Sequence, residues 1–190
     1  MMKPGFWIGS CCGIGAIPFA PGTWGSFAAA LAAAAFLSAG ILLDLLWLAV
    51  LLLVVGTILL FILGVGASNR YIAATEDKDP GVIVIDEWVG QWLTILIYMG
   101  GVALTDSVHG SFTHTAFTQN YGLEPLLVGG ALLAGLFFFF RLFDIWKPGL
   151  IGRADAEVKG GMGVMLDDVI AGVFAGFAAL GVTWITALFV

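Results

Sequence analysis

The chain has 190 residues, of which 61% are hydrophobic and 11% are charged, and its mean hydropathy is +1.06. This composition excludes an ordinary soluble domain and indicates an integral membrane protein. The formal net charge is −6, but most acidic residues stand in short segments between long apolar runs. The charge is therefore a local feature of a membrane protein. We expect a membrane partner and no nucleic-acid partner.

The N-terminal stretch MMKPGFWIGSCCGIGAIPFAPGTWGS resembles a signal peptide only superficially. Gly and Pro break its apolar run, and no small-x-small cleavage site follows cleanly. The stretch predicts a retained interfacial or re-entrant segment. Cys11 and Cys12 are adjacent and cannot build an ordinary disulfide framework. Neither stands in a C-x5-R arrangement, so a phosphatase-type thiol nucleophile is not expected.

The next elements are apolar runs long enough to cross a membrane, which takes about 20 helical residues. The run 26–67 is about twice that length, with Asp44 near its middle, and it predicts a helical hairpin. Three further spans are expected, at 88–104, 126–143 and 169–190.

The apolar runs also decide the fold class. AALAAAAFL and LLWLAVLLLVV lack the alternation of polar and apolar residues that a transmembrane β-barrel needs. The predicted fold is all-α: a polytopic membrane bundle of about five transmembrane helices plus the N-terminal segment, in a single domain over 1–190. Gly172 and Gly176 would let the last helix approach its neighbours closely.

The basic residues predict the orientation of the bundle. With the N-terminus in the cytoplasm, all of them fall on the cytoplasmic side: Lys3, Arg70, Lys78, Arg141, Lys147, Arg153 and Lys159. The outer connections, around Asp44 and over 105–125, contain no Lys or Arg. The predicted location is a bacterial cytoplasmic (inner) membrane.

This topology brings four polar clusters, far apart in sequence, to the same cytoplasmic surface. They are Thr23 and Ser26 at the start of the first span; Asp86 and Glu87 before the third; Arg141, Asp144 and Lys147 at the end of the fourth; and Asp167 and Asp168 at the start of the fifth. For any single cluster, a helix cap or a turn is as good an explanation as a functional site. Their convergence on one face favours a functional site.

The chemistry of these clusters is coherent. Five carboxylates at reduced dielectric repel one another, and hard oxygen ligands suit Mg²⁺, which also binds substrate phosphate. Arg141 and Lys147 would donate to phosphate oxygens, and Thr23 and Ser26 are candidate hydroxyl donors. The glycines just before the predicted fifth helix offer exposed N–H groups to a phosphate. They are Gly160, Gly161 and Gly163.

The motifs APGTWGS, DEWVGQW, FRLFDIWKP and GGMGVMLDDVIAG closely resemble those of the phosphatidylglycerophosphatase A family of bacterial membrane enzymes. The resemblance implies a Mg²⁺-dependent lipid phosphatase. Such an enzyme removes the terminal phosphate of phosphatidylglycerol phosphate at the cytoplasmic face, giving phosphatidylglycerol. The family's acidic, basic and hydroxyl positions fall on Asp86, Glu87, Asp144, Asp167 and Asp168, on Arg141 and Lys147, and on Thr23 and Ser26. The outer stretch 105–125, with His109 and His114, looks longer than the family's loop, and we expect a solvated loop there.

The expected roles follow. Asp86 and Asp168 are the candidate catalytic carboxylates, one of which positions or deprotonates a water, with a phospho-aspartyl intermediate as the competing route. The expected metal ligands are Glu87, Asp144, Asp167 and Asp168. The expected substrate-binding residues are Thr23, Ser26, Arg141, Lys147, Gly160, Gly161 and Gly163. The lipid would reach them laterally from the inner leaflet.

Two alternatives stay open. A CDP-alcohol phosphotransferase also uses Mg²⁺ and aspartates, but the spaced single aspartates of its helix are not found around Asp167 and Asp168. A divalent-cation transporter would carry carboxylates near mid-span, where this chain has almost none. The oligomeric state and the number of metal ions are left open.

Overall fold

The computed structural model describes residues 3–77, 80–109, 125–187 and 189. Within these ranges the chain forms seven α-helices, one 3-10 turn and no strand. The helices are α1 (Phe6–Gly9), α2 (Pro21–Leu42), α3 (Leu46–Thr75), α4 (Ile85–His109), α5 (Pro125–Trp146), α6 (Leu150–Glu157) and α7 (Gly160–Ala187), and the 3-10 turn is Ile14–Ala16. The all-α prediction is confirmed.

Five of the helices, α2, α3, α4, α5 and α7, are long and apolar enough to cross a membrane. The predicted count is therefore confirmed, and the run 26–67 is a hairpin of α2 and α3 that turns at Asp44, where φ is 57°. The predicted start of the fifth span was wrong, because α7 begins at Gly160. Asp167 and Asp168 thus lie about two turns inside the helix.

The glycines before Asp167 stay helical because they pack against neighbouring backbone, which outweighs their low helix propensity. The N–H of Gly161 donates to Asn69 Oδ1 on α3 at 2.7 Å, and a Cβ at Gly161 would overlap the carbonyl oxygen of Val65. This contact joins the first turn of α7 to α3. A glycine-rich stretch that looked like a loop is therefore the start of a buried helix.

The N-terminal segment does not cross the bundle but folds against one end of it. The N–H of Val84 donates to the carbonyl of Gly9 at 2.8 Å, and a Cβ at Gly15 would overlap the carbonyl of Val82. Trp7 and Phe19 remain 56% and 80% exposed, as expected of aromatic residues at a membrane interface. The segment therefore matches the predicted interfacial element.

α7 is the central helix, and its most extensive packing is against α4. A Cβ at Gly172 would lie 2.5 Å from the carbonyl oxygen of Gly90, so the two backbones touch where neither residue has a side chain. Thr94 Oγ1 donates to the carbonyl of Gly172 at 3.3 Å. Since Asp168 stands one turn before Gly172, this contact holds Asp168 against the start of α4.

Five chain ends meet at one end of the bundle, which we call the charged end: the starts of α2, α4 and α7 and the ends of α3 and α5. The basic residues of the described chain lie there, namely Lys3, Arg70, Arg141, Lys147, Arg153 and Lys159. Lys78 falls outside the described residues, as do His114 and positions 110–124 of the predicted outer loop.

Candidate active site

An open cavity of about 970 Å³ lies at the charged end. Walls from α2, α4, α5, α6 and α7 surround it. The predicted site residues that line it are Thr23, Asp86, Glu87, Arg141, Asp144, Lys147, Gly160, Gly163, Asp167 and Asp168. The predicted residues Ser26 and Gly161 are not part of its lining. The tertiary structure therefore brings most of the predicted set to one place.

Three of the five predicted carboxylates form a tight group. Asp86 and Glu87 come from the first turn of α4 and Asp168 from α7, and they offer one oxygen each within 4.8 Å of one another. Asp168 is only 3% exposed. Glu87 Oε2 and Asp168 Oδ2 are buried without a hydrogen-bond partner in the described part of the chain. Carboxylates this close at reduced dielectric need a cation or protons between them.

The other two carboxylates are paired with basic side chains. Asp144 accepts a hydrogen bond from Arg141 Nη1, and Asp167 Oδ2 lies 2.8 Å from Lys147 Nζ. Both are charged neighbours of Asp168. The sequence interpretation placed Asp144 and Asp167 among the metal ligands and Asp86 outside them. The geometry instead groups Asp86 with Glu87 and Asp168 by distance, and the other two carboxylates each contact a basic side chain.

Lys147 owes its position to the end of α5. Pro148 cannot continue the helix, and Lys147 takes a left-handed conformation with φ of 47° while its N–H caps the carbonyl of Phe143 at 2.8 Å. Its Nζ lies 2.7 Å from Asp155 and 2.8 Å from Asp167. Partial burial lowers the pKa of Lys147, but these hydrogen bonds outweigh burial and raise the pKa above its ordinary value. Lys147 is therefore a cation at neutral pH.

Arg141 is held between α2 and α5. Its Nη1 donates to Ser26 Oγ at 3.3 Å, and Ser26, which is fully buried, donates its own hydroxyl to the carbonyl of Gly22 at 2.8 Å. Ser26 therefore positions Arg141 and does not offer its hydroxyl to the cavity. A Cβ at Gly22 would overlap Glu87 Oε1 and lie 3.3 Å from Arg141 Nη1. The first glycine of PGTWGS is thus required by the space that these two side chains fill.

Of the three glycines predicted to bind phosphate, two line the cavity and one does not. Gly160, with φ of 68°, and Gly163 line the cavity. Gly161 donates its N–H to Asn69, so this amide serves helix packing and is not available to a phosphate.

The comparisons with known proteins identify the family of the chain. A model of the phosphatidylglycerophosphatase A family matches residues 7–183. The chain belongs to this family. It is therefore a phosphatase, and the resemblance seen in the motifs is confirmed. No solved structure matches the chain.

Three relatives of this family member bear two different names. A Haemophilus influenzae protein named phosphatidylglycerophosphatase A is 32% identical over 86% of this chain and 78% of its own length. An Escherichia coli protein of the same name is 33% identical over 51% of this chain and 41% of its own length. A Bacteroides thetaiotaomicron protein named "Putative phosphatidylinositol-3-phosphatase" is 31% identical over 97% of this chain and 99% of its own length. Both names describe the hydrolysis of a lipid phosphate.

The sequence interpretation missed other polar residues of this phosphatase. Asp155, in α6, and Lys159, just after it, line the cavity. The stretch RADAE, charged within an apolar chain, was the available signal. Gln91 stands one turn after Glu87, is fully buried, and has both amide atoms without a hydrogen-bond partner among the described residues. A glutamine inside the apolar part of DEWVGQW was the signal for it.

Cys11 lies in surroundings that disfavour its thiolate. Burial, with the charge of Glu87 and the neighbouring Cys12, raises the pKa of Cys11 to about 12. Cys11 is therefore protonated at neutral pH, which disfavours attack by its sulfur.

Proposed function

We propose that this phosphatase removes the terminal phosphate of phosphatidylglycerol phosphate, with Mg²⁺ as cofactor, at the cytoplasmic face of a bacterial inner membrane. The observation that carries the proposal is one cavity holding three carboxylates within 4.8 Å of one another beside Arg141 and Lys147. The substrate follows from the family and from two relatives named phosphatidylglycerophosphatase A. We propose that the whole chain acts as a single domain.

The residues present fit a magnesium ion. Asp86, Glu87 and Asp168 supply only hard oxygen atoms, and buried oxygens of Glu87 and Asp168 lack a partner among the described residues. These three would hold the ion, with Asp144 and Asp167 as their acidic neighbours. When bound, Mg²⁺ would polarise a phosphoryl group and lower the pKa of a bound water.

The cationic side chains would bind the phosphoryl oxygens. Arg141 and Lys147 line the cavity from α5 and its C-terminal turn, and each has a carboxylate partner that keeps it in place. Charge-assisted hydrogen bonds from both would stabilise the negative charge that develops during phosphoryl transfer. Thr23, which lines the cavity from α2, is the remaining candidate hydroxyl donor of the predicted set.

A carboxylate would carry the proton or the phosphoryl group. In one route Asp86 or Asp168 accepts a proton from the attacking water, and the lipid alcohol leaves. In the other route one carboxylate attacks phosphorus and the phospho-aspartyl group is then hydrolysed. Both routes end in phosphatidylglycerol and inorganic phosphate.

The distribution of charge supports the cytoplasmic orientation. The basic residues of the described chain lie at the charged end, and basic residues near membrane-spanning helices favour the cytoplasmic side. A cysteine at Lys159, in a Cys11→Ser, Cys12→Ser background, should react with an impermeant maleimide in inverted membrane vesicles and not in intact spheroplasts. The reverse labelling pattern would contradict this orientation.

A second substrate is favoured by a specific observation. The relative that this chain matches over nearly its whole length is named for phosphatidylinositol-3-phosphate. That lipid also carries a phosphate monoester on its headgroup, so the same cavity chemistry applies. The difference lies in the alcohol, which is a bulky inositol instead of glycerol.

The test is phosphate release by the purified protein from phosphatidylglycerol phosphate, phosphatidylinositol-3-phosphate and phosphatidic acid, with Mg²⁺ or EDTA. We expect the highest kcat/KM on phosphatidylglycerol phosphate, loss of release in EDTA, and recovery with Mg²⁺. Faster turnover of phosphatidylinositol-3-phosphate would establish the second substrate. Phosphate release that is unaffected by EDTA would refute the proposed requirement for Mg²⁺.

A further inference from the structure

α2 and α5 meet along a sparsely packed line that starts at the cavity. It is crossed by the hydrogen bond from Arg141 Nη1 to Ser26 Oγ at 3.3 Å, and by an edge-to-face contact between Phe27 and Phe137, whose ring centroids are 6.2 Å apart. We call this line the α2–α5 seam. It is held by long side chains and not by touching backbone.

Two other pairs of helices at the cavity are joined by backbone contacts. The first turn of α7 packs directly on α3, where Gly161 meets the carbonyl of Val65. α7 packs equally closely on α4, where Gly172 meets Gly90. Small residues at both places let the helices approach until no hydrocarbon chain fits between them. By contrast, α2 and α5 pack more sparsely than the neighbouring pairs α2–α3, α3–α7 and α5–α7, which favours the seam as the side that opens towards lipid.

The lining of the cavity continues onto an apolar surface at this seam. On α5, Phe138, Leu142 and Ile145 share one face by their spacing and are 59%, 39% and 70% exposed. Ile145 also lines the cavity. On α2, Thr23 lines the cavity, and Phe27, one turn further, is 45% exposed. Exposed apolar side chains thus flank the seam on both helices, next in sequence to the residues that cross it.

We propose that the α2–α5 seam is the docking surface for the acyl chains of the substrate, which reaches the cavity laterally along it. The inference rests on the proposed function, since a lipid phosphate has both a group for Arg141 and chains for the seam. Arg141 stands at the junction, with its guanidinium in the cavity lining and its helix in the seam. A phosphate held there places the attached chains beside Phe138 and Leu142.

A kinetic test uses two chain lengths of the same headgroup. The double variant Phe138→Ala, Leu142→Ala is compared with Phe177→Ala, whose phenylalanine is 62% exposed on α7. Hydrolysis of dioleoyl phosphatidylglycerol phosphate in mixed micelles depends on the seam as well as the cavity. Hydrolysis of the dihexanoyl lipid, free in solution, depends on the cavity alone. We expect the double variant to raise KM for the dioleoyl lipid by about 3-fold to 10-fold, because packing in a pocket discriminates modestly among apolar groups. Its kcat/KM on the dihexanoyl lipid should equal that of the wild type.

The results separate this inference from the proposed function. Equal losses of kcat/KM on both lipids, or the same change of KM in Phe177→Ala, would overturn the proposal that acyl chains dock at the seam. The proposed phosphatase activity would be unaffected by either result. If the wild type hydrolyses neither lipid, the proposed substrate fails, and direct labelling then decides about the seam.

Labelling uses an Asp168→Asn protein and a diazirine in the acyl chain, carried either by phosphatidylglycerol phosphate or by phosphatidylcholine. Enrichment of the first probe over the second at Phe27, Phe138 and Ile145 supports the seam. Equal labelling by both probes would show a surface covered by bulk lipid. Protein–protein adducts through these residues would show a second copy there. Either of these outcomes overturns the proposal.

Discussion

α4 and α7 run side by side through two different environments. At the charged end they bring Asp86, Glu87 and Asp168 together, and buried oxygens of Glu87 and Asp168 lack partners within the described chain. We call the next stretch of this helix pair the α4–α7 interface. There Thr94 donates a hydrogen bond to the carbonyl of Gly172, and the hydroxyls of Tyr98 and Thr183 are 3.1 Å apart. One stretch of the same helix pair thus gathers like charges, and the next pairs the hydroxyls of Thr94, Tyr98 and Thr183.

The difference has a physical cause. A buried polar group without a partner costs free energy, and a buried group of like charges costs more. A fold keeps such a cluster only if a ligand offsets the cost or if neighbouring packing outweighs it. The α4–α7 interface supplies that packing through backbone contact at Gly172. Substitutions at the charged end should therefore lower activity, and substitutions in the interface should lower stability.

The largest effect is expected for Asp168→Asn. Loss of a carboxylate from the group of three should lower phosphate release by about 10³-fold, the usual scale for a catalytic acid or base. In EDTA the variant should unfold at the same temperature as the wild type or higher, because one buried charge is gone. Phosphate release and thermal unfolding in detergent measure both. Asp44→Asn, in the exposed turn between α2 and α3, is the control and should change neither. Normal turnover by Asp168→Asn would contradict the assignment.

Gly22→Ala should separate activity from stability. The added methyl group overlaps Glu87 Oε1 and approaches Arg141, so it displaces these two side chains of the proposed site without touching the backbone of another helix. Displacements of about 1 Å can cost about 10²-fold in rate, and we expect that loss in kcat/KM with little change in unfolding. Gly66→Ala, where a Cβ meets no described atom within 4 Å, should be active. A large drop in the stability of Gly22→Ala would contradict the expected difference between the charged end and the α4–α7 interface.

Gly172→Ala should act mainly on stability. Its methyl group would lie 2.5 Å from the carbonyl oxygen of Gly90, and forcing helices apart by overpacking costs about 1–3 kcal/mol. Equilibrium unfolding in SDS–detergent mixtures measures the change. Gly181→Ala on the same helix, which meets no atom of the described chain within 4 Å, is the matched control. Equal stability of the two variants would show that the helices do not touch here.

The smallest effect is expected for Tyr98→Phe. It removes the hydrogen bond to Thr183, and a single buried hydrogen bond contributes about 1 kcal/mol, or less between membrane helices. Unfolding should become slightly easier while kcat and KM stay at wild-type values. A clear loss of activity without loss of stability would mean that the interface also takes part in catalysis.

Much of the fold could be predicted because membrane spans are local properties of the sequence. Runs of about 20 apolar residues form helices whatever their neighbours are, since lipid offers backbone groups no other partner. The residues at which the helices begin and end were harder to predict from the sequence, as the start of α7 shows. Its glycines have low helix propensity, and only the contact of Gly161 with α3 explains why they are helical.

By itself, the sequence determined the number and type of spans, the end of the bundle at which the charges gather, and the chemistry available there. These follow from hydropathy, from the order of the spans, and from residue type, none of which depends on side-chain packing. Only the tertiary structure decided which carboxylates stand together. Asp167 is paired with Lys147 of another helix, whereas Asp86, Glu87 and Asp168 form the group of three; the pair of Arg141 and Asp144 is local, three residues apart on α5. The reason is that α4 and α7 touch at Gly90 and Gly172, a contact between helices distant in the chain that hydropathy does not reveal.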